Sequence, residues 1–264
     1  MSRFSSLSTN PPSGPSSICL TTGHSTILSD RRSLLYHDHN IAVIIPALNE
    51  EQSISRVLQA LPSYLDRVIV ADNGSTDSTA SLARQAGAEV ISEPQRGYGA
   101  ACLRAIAELD EATDIIVFLD GDYSDYPEET ILLIDQIVFG GHEVVIGSRM
   151  IKDDARRHLT PAARFGNWLS TWLIRLFWRY RFTDLGPFRA VTYQALQRLN
   201  MQDRDFGWTV ELQIKAAKLG LDATEVAVSY RPRIGRSKIS GTVTGSVKAG
   251  LKILYLIFRE LGRR

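Results

Sequence analysis

The stretch Ile115-Ile116-Val117-Phe118-Leu119-Asp120-Gly121-Asp122 decides how this chain is read. Its unbroken β-branched and aromatic run fits a strand buried on both faces, as strands inside a parallel sheet are. The run stops at two carboxylates separated by one glycine, and open α/β sheets gather their ligands beyond the C-terminal ends of strands. Two acids held close repel each other unless a cation lies between them, so Asp120 and Asp122 point to a hard divalent ion, Mg²⁺ or Mn²⁺. Gly121 allows a tight turn or a close approach to a ligand. An isolated Asp-Gly-Asp also serves as a plain polar turn closing a core strand, so its context has to carry the reading.

That context is a series of strands alternating with helices, which predicts a mostly parallel sheet covered on both faces. Upstream, Ile41–Ile45 reads as a strand ended by Pro46; Asn49 suits the cap of the next helix, and Glu50 and Glu51 its positive N-terminus. Val68–Ala71 is a second strand, and Asp72-Asn73-Gly74-Ser75-Thr76-Asp77 turns into a helix that Gly87 can close. A short strand at Glu89–Ile91 precedes Arg96-Gly97-Tyr98-Gly99, which opens another helix. Downstream, Pro127, Glu128 and Glu129 start a helix ending at Gly140-Gly141, and Val144–Ile146 leads as a strand to Gly147-Ser148-Arg149. Lys152–Ala163 reads as a polar loop and Asp184–Arg189 as an irregular strand. Phe206–Glu211 leads into a helix ending at Gly220, and Thr224–Tyr230 is the last strand.

At 264 residues, 44% hydrophobic and 22% charged, the composition is that of an ordinary soluble protein with a sizeable core. The net charge of +1 conceals an asymmetry: residues 41–148 hold 5 Arg and no Lys against 18 acids, whereas 229–264 hold 9 basic residues against Glu260 alone. One part suits a cation and the other suits anions. Cys19 and Cys102 are too few for a disulfide framework or a zinc site, which fits a reducing, cytoplasmic setting. No run of about 18 apolar residues occurs, so any membrane contact is expected to be peripheral, on the cytoplasmic face.

Residues 1–40, rich in Ser, Thr and Pro, read as a disordered extension, with a targeting peptide as the rival that lacks an apolar core after its basic start. Residues 41–240 form one expected α/β domain and 241–264 a C-terminal amphipathic helix. Trp168, Leu169, Trp172, Leu173, Leu176 and Phe177 fall at helical spacing near Arg164, Arg175 and Arg179. Such a stripe packs into a core or, with its indoles and arginines, lies in a membrane interface. The final helix, with Leu251, Leu254, Ile257, Phe258 and Leu261 apolar and Lys248, Lys252 and Arg259 basic, leaves the same two readings open.

Taken in order, Val43–Glu51, Ala71–Asp77, Arg96–Gly99 and Leu119–Asp122 resemble the family 2 glycosyltransferases. Gly147–Arg149, Phe206–Glu211 and Arg233-Ile234-Gly235-Arg236-Ser237-Lys238 are most similar to the dolichyl- and polyprenyl-phosphate sugar transferases within it. The resemblance covers about residues 41–240. It implies the α/β fold called GT-A, a mostly parallel sheet flanked by helices, here followed by C-terminal amphipathic helices. It also implies that Pro46, Ala47, Asn49 and Glu50 line a nucleoside pocket, that Asp72 hydrogen-bonds the base, and that Arg96, Gly97 and Gly121 lie near the donor.

On the same resemblance, Asp120 contacts ribose or metal, and Asp122 is the main ligand of the Mg²⁺ or Mn²⁺ that bridges the diphosphate. The ion offsets charge on the departing nucleoside diphosphate while the anomeric carbon is attacked from the opposite face, with inversion. A lipid phosphate needs no general base, only cationic anchoring of the kind Arg149, Arg164, Arg233, Ser237 and Lys238 supply. A sugar hydroxyl needs a carboxylate base, Asp184 or Glu211. Arg233 lies one residue closer to its glycine than the pattern Arg-x-x-Gly-x-Ser-Lys has it, which leaves Arg231 and Arg236 as substitutes. UDP-glucose and GDP-mannose both remain open as donors, and no nucleic-acid partner is expected. A sugar-1-phosphate nucleotidyltransferase would open with a glycine-rich basic loop where Pro46–Glu50 stands; a non-catalytic nucleotide-sugar-binding module is the other rival.

Overall fold

The computed structural model describes residues 36, 38–235 and 243–262. Its strands are β1 (Ile41–Ala47), β2 (Arg67–Asp72), β3 (Glu89–Ser92), β4 (Ile115–Phe118), β5 (Val144–Ser148), β6 (Arg189–Thr192) and β7 (Ala223–Ala227). They form one sheet in the order β3-β2-β1-β4-β6-β5-β7. All neighbours run parallel except β6, which is antiparallel to both β4 and β5. The sheet is thus mostly parallel, as the strand-helix alternation predicts.

Side-chain alternation sends β1 and β4 into two cores. Ile44, Ile116 and Phe118 face one, with Trp208, Ile174 and Leu256; Val43, Ile45 and Val117 face the other, with Ile54 and Leu133. The first core is covered by α3 (Tyr98–Ile106), α6 (Pro161–Trp178), α7 (Tyr193–Leu199), α8 (Trp208–Leu219) and α9 (Val243–Gly262). The second is covered by α1 (Ile54–Ala60), α2 (Thr79–Gln85) and α4 (Thr130–Val138), the last preceded by a 3₁₀ turn at Pro127–Glu129. Helix α5 (Asp153–Arg157) forms inside the stretch expected to be a loop.

Several local expectations are corrected. Pro46 does not end β1, which continues to Ala47 with Pro46 opposite Ala71. The carbonyl of Ile44 accepts from Leu119, so even-numbered residues aim their backbone polar groups at β4, and β4 stops pairing at Ile44. The missing N–H of Pro46 therefore falls where no ladder partner is due. Asn49 caps no helix: α1 begins at Ile54 after Ser53, and Asn49 takes a left-handed φ of 52°. Its Oδ1 accepts from Thr76 N–H at 2.8 Å and its own N–H donates to Ser75, sewing the loops after β1 and β2 together.

Of the segment Asp184–Arg189, only Arg189 belongs to β6, with the Phe188 carbonyl accepting from Gly147 N–H just before it. The Arg189 side chain is fully buried and donates to the carbonyls of Gly186, Pro187 and Thr209, so the chain before β6 curls around its own arginine instead of extending. Burial lowers the pKa of that guanidinium to about 10. Tyr36, inside the span read as a disordered extension, is a core residue, 3% exposed, stacked edge-on against Tyr64 and bonded to Asp135.

Helices α6 and α9 pack on each other, with Phe177 and Phe258 ring centroids 6.1 Å apart. Leu173 and Ile174 face inward, but Phe165, Trp168, Trp172 and Leu176 line one outer stripe of α6, and Leu251, Tyr255, Phe258 and Leu261 line one of α9. These eight side chains are 44% to 62% exposed. Among the described residues no helix is long and apolar enough to cross a membrane.

Candidate active site

The C-terminal ends of β1, β2 and β4 open on a cavity of about 570 Å³. Pro46, Ala47 and Glu50 line it from β1 and its loop, Asp120, Gly121 and Asp122 from the end of β4, Arg96 and Gly97 from the entry to α3, and Arg149 and Arg233 from the loops after β5 and β7. Residues that the sequence singles out in separate segments are thus brought to one concavity.

The acid pair is its electrostatic centre. Asp122 is 4% exposed; its Oδ1 accepts the Ser124 N–H at 2.9 Å and its Oδ2 lies 2.7 Å from Nη2 of Arg233. The same Arg233 nitrogen stands 3.5 Å from Oε1 of Glu50. Asp120 Oδ1 is sealed from solvent with no hydrogen-bond partner among the described residues. Burial, then repulsion from Asp122, raises the Asp120 carboxyl from 3.8 to about 7, with Arg233, the neighbouring Tyr98 hydroxyl and Arg149 opposing. An ionised carboxylate in that position has no cation in direct contact with Oδ1 among the described residues.

Arg149 closes a two-point pair with Asp184, Nε to Oδ2 at 2.7 Å and Nη2 to Oδ1 at 2.8 Å, and its backbone N–H donates to Oδ2 as well. Asp184 is fully buried, and although burial works against its charge, Arg149 holds its carboxyl below the ordinary range. Glu211 is also fully buried; it accepts the N–H groups of Gln202 and Asp203 and pairs with Lys215 at 3.0 Å and Arg259 at 3.6 Å. Neither of these two expected bases lines the cavity. Both are committed to partners that brace the walls.

Three other expected positions lie off the cavity wall: Asn49 in its loop brace, Asp72, whose Oδ1 accepts from Ser75 N–H, and Arg164, exposed at the start of α6. Asn73 faces the cavity in place of Asp72. Its amide is saturated, donating to the carbonyls of Glu93 and Gln95 and accepting from Gly97 N–H at 2.8 Å, so it shapes the wall. Arg236, Ser237 and Lys238 lie outside the described residues.

Lining residues that sequence reasoning missed include Tyr98, Leu185, Asp205, Phe206 and Tyr230. Tyr98 and Phe206 fall within motifs that carried the family resemblance, so their position was a usable signal; Asp205 and Tyr230 offered none. The close approach of Gly97 and Gly99 to the turn at 203–205 was also unread. A Cβ on either glycine would stand 2.0 Å from the Arg204 carbonyl oxygen or 1.9 Å from that of Asp203. Asp125 is a further buried acid, both oxygens unpartnered among the described residues and its carboxyl pushed well up by burial and by Asp120.

This sheet order, with its cavity at the strand ends and an acid pair closing the central strand, matches the GT-A-like fold of solved glycosyltransferase structures. The chain belongs to glycosyl transferase family 2, whose profile matches residues 42–198. It is 37% identical over 218 residues to an uncharacterized glycosyltransferase of Mycobacterium tuberculosis, covering 82% of this chain and 97% of that one. It is 28% identical over 228 residues to a dolichyl-phosphate hexose transferase of Haloferax volcanii, covering 85% and 97% of the two chains. Against an undecaprenyl-phosphate mannosyltransferase of Micrococcus luteus the identity is 26% over 238 residues, with the same shares covered. Among solved structures, glucosyl-3-phosphoglycerate synthase from Mycobacterium tuberculosis, in complex with Mn²⁺, UDP-glucose and phosphoglyceric acid, superposes with a TM-score of 0.72 at 24% identity, covering 89% of this chain and 84% of that one.

Proposed function

We propose that the chain moves a hexose, with inversion, from UDP-glucose or GDP-mannose to a polyprenyl phosphate at a membrane surface. The observation that carries the acceptor is the exposed stripe of α6, where Trp168 and Trp172 lie on one helix with exposed Arg164 and Arg175 as in interfacial helices, continued by the apolar stripe of α9, whose Lys252 and Arg259 are instead paired with Asp203 and Glu211. The relatives named as dolichyl- and undecaprenyl-phosphate transferases support it.

The residues present fit a hard divalent ion: Asp120 Oδ1 is buried and unpartnered, and Asp122 presents Oδ2 toward the cavity. Asp122 and Asp120 would hold it. When bound, Mg²⁺ or Mn²⁺ neutralises charge developing on the departing diphosphate. Pro46, Ala47 and Arg96 offer a nucleoside and diphosphate bed at the strand ends, and Arg149, held rigid by Asp184, presents a fixed positive charge to the second anion.

A second reading, transfer to a soluble phosphorylated acceptor, is supported by the likeness to glucosyl-3-phosphoglycerate synthase. Transfer from a panel of labelled nucleotide sugars to undecaprenyl phosphate or to 3-phosphoglycerate separates the two. Lipid-linked product is expected, and substituting Trp168 and Trp172 by Glu should lower binding to anionic liposomes. Turnover confined to the soluble acceptor would replace the lipid reading with the second, and no turnover with any donor would leave a binding module.

A further inference from the structure

Arg233 occupies the place where a cation is called for. Its Nη2 sits 2.7 Å from Asp122 Oδ2 and 3.5 Å from Glu50 Oε1, while the other Asp122 oxygen is already turned to the Ser124 amide. We infer that Arg233 is the resident counter-cation of this acid pair in the metal-free protein and gives up Asp122 when a divalent ion is loaded. The inference rests on the proposed metal site and adds an exchange to it. A guanidinium and a divalent ion cannot share one carboxylate oxygen at bonding distance, because their like charges would then lie within a few ångströms of each other in a poorly solvated cavity.

The local structure suits an exchange. The Arg233 contact is incomplete, since its Nε is buried without a hydrogen-bond partner among the described residues, and an orphaned donor costs free energy. By contrast Arg231, two residues earlier, is anchored firmly. Its guanidinium donates to the carbonyls of Tyr123 and Asp125 and lies over the rings of Tyr123 and Tyr126, 3.4 and 4.1 Å from their centroids. Its backbone N–H donates to Ser124 O, and Ile234 N–H donates to Asp122 O, both at 3.0 Å. The chain is pinned at 231 and rests on Asp122 at 233–234, so movement at the tip need not detach the loop. Gly235 follows at φ 86°. Arg233, once displaced, becomes a cation beside the cavity for a second anionic substrate, which places ion and donor before acceptor in the order of binding.

The test uses the full chain and Mn²⁺ alone, with binding followed by electron paramagnetic resonance of the free ion. Removing the competitor in Arg233→Ala should tighten Mn²⁺ binding, on the order of tenfold for loss of one close charge pair. Arg233→Lys, which keeps a charge, should fall between. Circular dichroism with saturating Mn²⁺ verifies that each variant is folded. In parallel, Mg²⁺ should speed hydrogen exchange in the peptide 230–235, which contains the Ile234 amide. If Asp122→Asn abolishes binding but Arg233→Ala leaves it unchanged or weaker, the exchange is overturned and the metal site stands. If Asp122→Asn binds Mn²⁺ as the wild type does, the metal site is overturned and the exchange with it. Unchanged or slowed exchange at 230–235 overturns release of the loop tip.

Discussion

Arg149 and Asp184 face each other through two parallel hydrogen bonds of 2.7 and 2.8 Å, and the carboxylate is fully buried. The pairing ties Asp184 to an arginine that lines the cavity, and the expected role of Asp184 is to position it. Asp184→Asn leaves the Arg149 charge without its partner and should destabilise the fold by about 3–5 kcal/mol, with transfer lost in proportion to misplacement of Arg149. Urea titration gives the stability and initial rates give the transfer. A variant of wild-type stability with strongly reduced kcat alone would return Asp184 to the role of a base.

The Asp120 carboxyl gives the metal-free protein a signed pH dependence. Its folded-state value is raised to about 7 from 3.8. Below the lower value both states are protonated; between the two, the unfolded chain has released a proton that the folded chain retains. Stability therefore falls as pH rises across that window and levels off above about 7, since the state that binds more protons loses ground. Melting temperatures in EDTA should show this decline, and Asp120→Asn should make it shallower. Superimposable pH profiles for wild type and variant would remove the basis for the raised pKa.

Gly99 is predicted to be intolerant of any side chain, since its Cβ would meet the Asp203 carbonyl oxygen at 1.9 Å. The same turn accepts the first N–H groups of α3, Gly99 to Asp205 O and Ala100 to Arg204 O, so it cannot withdraw cheaply. Gly99→Ala should cost roughly 1–3 kcal/mol by overpacking. Because Asp205 and Phe206 line the cavity, the KM for substrate should rise in the same variant. Thermal melts and steady-state kinetics together check it.

Tyr36 sets where a truncation should stop. Deleting residues 1–35, whose composition supports no core, should leave the melting temperature and turnover near wild type. Deleting through Tyr36 removes a buried ring packed on Tyr64 and Phe139 and should cost about 1.5–3 kcal/mol. Equal stability for the two truncations would show the Tyr36 packing to be dispensable.

The sequence by itself determined the sheet and its chemistry-bearing edge. The run Ile115–Leu119 has to be buried on both faces, and turn chemistry after it places Asp120, Gly121 and Asp122 at a strand end; Pro46, Ala47, Glu50, Arg96 and Gly97, which line the cavity with them, were indicated by the family resemblance of their motifs and not by local patterning. Burial pattern and turn preference are properties of short segments, so they are legible without a partner. What each charge pairs with is not. Only the tertiary structure decided that Asp184 is held by Arg149, that Glu211 braces the turn at 202–203, and that Arg233 rests on Asp122. It also decided that Asn49 ties two loops instead of capping a helix. Apart from the Glu211 contact, which is local, these pairings join segments well separated in sequence, and the crossovers of the sheet, with β6 antiparallel between β4 and β5, determine which of many carboxylates each arginine meets.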